Sequence, residues 1–212
     1  MRMSAPFAVS TLLPILCLAF NCASAVSIAP APKVLEPATT TTQPAVSVEK
    51  KGMTWGVGAR LSDDKNIVYV SCQGQPRIDG HGCEAYVGDT ACSSRRPLLC
   101  LNVDGRARPA DVLVPPSGGV MPKAFYSGWA AGRIGLSKPV KGDQFKNRSD
   151  ADAFCASNLG TGWRVAEHHD GIVDAQGSHG GWGLVANGHV RKTSRFWVAI
   201  NDTAANCWDP SQ

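Results

Sequence analysis

The stretch 150–208, DADAFCASNLGTGWRVAEHHDGIVDAQGSHGGWGLVANGHVRKTSRFWVAINDTAANCW, decides the fold. It opens as a helix. Ser149 is placed to cap the first turn with Asp152 three residues on as a partial capping box, and Ala151, Phe154, Cys155 and Leu159 recur at helical spacing before Gly160 ends the run. It closes as a strand, in which Phe196, Val198 and Ile200 alternate with Trp197 and Ala199 until Asn201-Asp202 turns the chain ahead of Cys207. Between these ends, 163–166 reads as a strand. Residues 182–186 are predicted to pair with 189–193 as a hairpin, because the two-residue loop Asn187-Gly188 tolerates positive φ at both positions. Four of the six tryptophans lie in the stretch: Trp163, Trp182, Trp197 and Trp208.

Upstream, residues 1–25 read as a signal peptide. Arg2 supplies the basic start, 7–20 is apolar, and Ala23-Ser24-Ala25 is a small-residue cleavage site. An apolar run of about 14 residues is too short for the roughly 20 that span a bilayer, so no transmembrane segment is expected after cleavage. Residues 26–51, with Pro30, Pro32, Pro37, Pro44 and a run of threonines, have the composition of a disordered tether. Residues 52–109 read as a small disulfide-rich β part with strands at 67–72 and 98–103 and a turn at Asp104-Gly105. Residues 110–149 read as a connector carrying the aromatic cluster Phe125, Tyr126 and Trp129 and a short strand at 134–136. Those aromatics are either core or an exposed ligand platform.

Six cysteines follow the leader: Cys72, Cys83, Cys92, Cys100, Cys155 and Cys207. In an exported chain this even count points to three disulfides, and six cysteines admit 15 pairings. The expected pattern pairs the first four among themselves and joins Cys155 to Cys207. A loop of about 50 residues closed in this way stabilises by roughly 4 kcal/mol in the chain-entropy picture. No Cys-x-x-Cys occurs to suggest zinc. Loss of the leader leaves 20 basic against 17 acidic residues, too small an excess to argue for nucleic acid.

The densest ionisable group is Glu167, His168, His169 and Asp170, followed by Asp174, His179 and, after two glycines, Trp182. In a strand His168 and His169 would point to opposite faces, so they can converge only in a loop. There they would serve as metal ligands, as a general base beside Asp170, or as ligand contacts, and the plainest reading of such a cluster is a structural or solvated one. No His-Glu-x-x-His, Gly-x-Ser-x-Gly or phosphate-loop motif accompanies them.

The order of a helix bearing Cys155, then Trp163-Arg164-Val165-Ala166, then Phe196-Trp197-Val198-Ala199-Ile200-Asn201-Asp202, then Cys207 resembles C-type lectin-like domains. The resemblance covers the C-terminal 150–212. It implies a lectin-like scaffold of the bacterial exported kind. The Glu-Pro-Asn, Gln-Pro-Asp and Trp-Asn-Asp calcium motifs are absent, so no calcium ligand is carried over and no cofactor is expected. The fold class expected is α+β, mostly β with one clear helix. The function expected is that of a secreted or periplasmic binding protein, independent of calcium, that recognises a glycan or a cell-surface protein through Glu167, His168, His169, Asp170, His179 and Trp182. A hydrolase or metal-binding protein centred on 167–170, and a structural envelope protein, are the alternatives.

Overall fold

The computed structural model describes residues 48–78, 80–114 and 122–210. The expected leader and nearly all of the tether lie outside the described residues, as does part of the 110–149 connector. The strands are β1 (Lys51–Gly52), β2 (Thr54–Ser62), β3 (Ile67–Ser71), β4 (Thr90–Ala91), β5 (Arg95–Arg96), β6 (Leu99–Val103), β7 (Gly128–Leu136) and β8 (Val140–Lys141). After the helix α1 (Arg148–Leu159) come β9 (Arg164–Val165), β10 (Gly171–Ile172), β11 (His179–Gly180), β12 (Gly183–Gly188) and β13 (Phe196–Trp197). The class is α+β, mostly β with one helix among the described residues.

Alternating side chains explain why the main sheet is buried on both faces. In β12, Leu184 and Ala186 enter the largest core with Trp55, Val68, Val70 and Phe196, while Val185 packs on the other side with Ile67, Val112 and Trp129. The alternation read at 196–200 has the same meaning. Phe196 and Val198 join the largest core, whereas Trp197 and Ala199 join a second one roofed by Ala151 and Cys155 of α1.

The sheet order β11-β10-β7-β12-β3-β2-β13, with β6 on β7 and β9 on β6, intermixes strands from 52–109, 110–149 and 150–212, and Val46–Gln212 forms a single compact unit. One edge of β7 runs parallel to β12. Its other edge takes β10 at Trp129 and then β6 from Gly132 onward.

Three expectations are corrected. Asn187-Gly188 does not turn a hairpin: both residues lie inside β12, which is antiparallel to β3 and parallel to β7. With both edges occupied by distant strands, no place remains for 189–193. Gly188 has φ +154, and a Cβ there would run into the Ile134 carbonyl, so its glycine serves a close approach and not a turn. The helix cap is Asn147, two residues before Ser149. Its side chain accepts the Asp150 N–H at 3.0 Å, and Asp150 returns a bond from Lys146 N–H.

The disulfides are Cys72–Cys83, Cys92–Cys207 and Cys100–Cys155, so the expected Cys155–Cys207 bridge is not formed. The sheet gives the reason. Cys100 lies opposite Val165, which α1 covers, and this sets Cys100 beneath Cys155. The β1–β4 pair delivers Cys92 to Cys207, where Gly52 packs against the same sulfur.

Candidate binding site

Residues 167–170 form a turn between β9 and β10. Asp170 N–H donates to the Glu167 carbonyl at 3.1 Å, the Asp170 carboxylate accepts Glu167 N–H at 2.6 Å, and His168 N–H is tied to Ala199 O at 2.8 Å. This is the loop geometry that lets neighbouring histidines converge, and the His168 and His169 ring centroids are 4.6 Å apart.

The donors and acceptors fix the tautomers. Trp182 N–H donates to His168 Nε2 at 3.2 Å, so a neutral His168 carries its proton on Nδ1. Nδ1 lies 3.3 Å from His169 Nε2, which must then accept, and His169 Nδ1–H is left to donate to Glu167 Oε1 at 3.2 Å. Glu167 is itself anchored, accepting His169 N–H at 2.7 Å and Asn201 N–H at 3.2 Å. The relay runs in one direction, from the Trp182 backbone to a carboxylate. Burial holds the His168 pKa down at about 4, with His169 adding to the depression and Asp202 opposing it.

Both imidazole lone pairs are consumed inside this relay, which leaves neither ring free as a general base in this arrangement. Among the described residues, no group of three His, Cys, Asp or Glu side chains is disposed to hold a metal. What the relay does is hold Trp182. That residue has φ +66, a left-handed backbone that costs a bulky side chain roughly 1–2 kcal/mol. Its N–H is held by His168, its carbonyl accepts Cys72 N–H at 2.9 Å, and Gly181 N–H before it donates to Ala124 O at 2.7 Å.

The ring so placed is the centre of an aromatic shelf. Phe125 lies parallel to it at 6.4 Å, Tyr86 meets it edge-on at 6.0 Å, and His168 backs it at 5.2 Å. Tyr86 is 59% exposed and Phe125 42%, while Trp182 is half-buried. Trp197 and Trp208 lie in the core instead.

Of the predicted site residues, Glu167, His168, His169 and Trp182 come together. Asp170 turns away to a bidentate pair with Arg164, with oxygen–nitrogen distances of 2.8 and 2.5 Å. His179 is exposed on β11 and bonds the His169 carbonyl at 2.8 Å. Asp174 pairs with Lys123, which pulls its carboxyl well below the ordinary range. Tyr86 was not foreseen, nor was Asp202, whose carboxylate is 3.6 Å from His169 Nε2. Tyr86 follows the glycine-rich Cys72–Cys83 loop in a segment with no pattern of its own, and only tertiary folding brings it to Trp182. Arg195 is buried. It donates to the Thr54, Cys72, Gly74 and Pro76 carbonyls and so pins the Cys72–Cys83 loop.

No family profile, no characterised protein and no solved structure matches this chain.

Proposed function

We propose that this chain is a calcium-independent binding protein of an exported compartment, and that the aromatic shelf Tyr86–Trp182–Phe125 takes a glycan by stacking against a sugar ring. The observation that carries this reading is Trp182 itself. A left-handed tryptophan, held by two backbone–backbone bonds and a neutral histidine beside two exposed aromatics, is strain kept in place at a surface. Aromatic rings at the surface offer large contact area at small entropic cost. The three disulfides favour an oxidising compartment. No helix among the described residues is long and apolar enough to cross a membrane. The likeness to C-type lectin-like domains enters this proposal through the order of helix and strands in 148–208. It does not extend to the bridges, since the helix cysteine pairs with Cys100 and not with the cysteine near the end.

A glycan array of neutral oligosaccharides, run with and without chelator, tests the reading. Binding is expected to survive chelator and to fall about tenfold in Trp182→Ala, with smaller losses in Phe125→Ala and Tyr86→Ala. An array without a binder, loss of binding in chelator, or a Trp182→Ala variant equal to the parent would each overturn it.

A further inference from the structure

We propose that the cleft at the Gly188 end of β12 is a second binding site, for an acidic saccharide whose carboxylate or sulfate docks on Arg133. The cleft holds about 490 Å³, within the range of small-ligand sites, and is lined among others by Lys65, Arg106, Arg133, Trp163, Asn187 and His189. Its cations are not equally engaged. Asp104 is gripped by Arg106 through two bonds at 2.8 and 2.5 Å, and the same carboxylate reaches Arg133 only through Nε, at 3.4 Å. Lys65 pairs with Asp111, which is 65% exposed.

Arg133 is therefore the under-neutralised group. Its side chain is half-exposed and its guanidinium lies over the Trp163 ring at 5.8 Å. Its two Nη groups take no protein hydrogen bond among the described residues. A planar fork fixed from one side by a ring and by one carboxylate contact is pre-set for a bidentate oxyanion.

The surroundings select a sugar over a bare ion. The strand register places Asn102 of β6, Arg133 of β7 and Asn187 of β12 opposite one another. Directly paired residues share a sheet face, so an amide stands on each side of the guanidinium. Asn66 at the rim bonds His189 through its oxygen and keeps its Nδ2 without a protein partner among the described residues. Amide donors and acceptors flanking one cation suit hydroxyls flanking one acid group.

Calorimetry of the full chain against an oligogalacturonate, a heparin oligosaccharide and a neutral cello-oligosaccharide reads the site. At least one of the acidic ligands is expected to bind, with affinity falling as salt rises. Arg133→Ala should weaken it about tenfold or more, and Arg133→Lys, which keeps the charge but loses the fork, should restore only part. Arg191→Ala, an exposed cation elsewhere, and Trp182→Ala on the shelf should leave it unchanged, so failure here is separable from failure of the shelf. The proposal is overturned if neither acidic ligand binds better than the neutral one, if both Arg133 variants bind like the parent, or if an oligothymidylate binds more tightly than both acids.

Discussion

The two ends of β12 lie about 17 Å apart by the rise of an extended strand, and they treat charge in opposite ways. At the Gly183 end a buried histidine is kept neutral, its polar atoms used up by a backbone N–H and a neighbouring ring, and the surface it supports is aromatic. At the Gly188 end guanidinium and ammonium groups stand in an open cleft, partly matched by carboxylates that water also reaches. One short strand joins a site organised by desolvation to one organised by charge. Each end is set by a glycine against which something packs: the His168 ring and the Ala124 carbonyl at Gly181, the Ile134 carbonyl at Gly188.

The strongest way to break this comparison is at Gly188. Gly188→Val forces a branched side chain into a positive-φ position and onto the Ile134 carbonyl, and should destabilise by about 3–4 kcal/mol in urea unfolding. A loss below about 1 kcal/mol would mean that the strand end shifts aside and the cleft is not rigid.

The opposite end is tested by acid. His168 is neutral in the folded state down to about pH 4, whereas the unfolded chain takes up the proton near pH 6.5. The unfolded state binds more protons in that window, so stability is full above pH 6.5 and falls as pH drops toward 4, by about 3 kcal/mol. His168→Gln, whose amide oxygen can still accept Trp182 N–H, should flatten this part of the profile. An unchanged slope would place the acid sensitivity elsewhere.

Smaller effects sharpen the contrast. Trp182→Ala should cost about tenfold, near 1.4 kcal/mol, in binding at the shelf while leaving the salt dependence at the cleft as it was. Asp111→Asn should leave the unfolding midpoint in place, because the pair it breaks with Lys65 is exposed and solvent-screened. A shifted midpoint would show that the rim of the cleft carries part of the fold.

Sequence made legible what local chemistry decides. The helix was readable from its apolar spacing and Gly160, β3 and β6 from their branched apolar runs, and 196–200 from an alternation that turned out to feed two separate cores. Long-range packing decided the rest. β2 carried no strand reading, since Gly56 and Gly58 interrupt its apolar residues. Gly56 lies against the Gly74–Gln75 backbone and Gly58 beneath the Tyr69 ring, so both are glycines because a neighbour occupies the space of a side chain. Asn187-Gly188 deceived for the same reason. The site was half legible: four ionisable or aromatic residues were marked in one stretch, but Tyr86 and Phe125 come from segments roughly 96 and 57 positions before Trp182. The bridges followed sheet neighbours and not sequence order.

Those bridges make the chain a ring within a ring. Cys92 to Cys207 closes one covalent circle, and Cys100 to Cys155 closes a smaller one inside it. Lys123 and Ala124, both exposed, lie on both circles at once. A protease that cuts between them opens the backbone without releasing either piece, since each half stays tethered to the other by two sulfur links, and only a reductant separates them. Such a molecule can be nicked beside its aromatic shelf and still hold its two halves together.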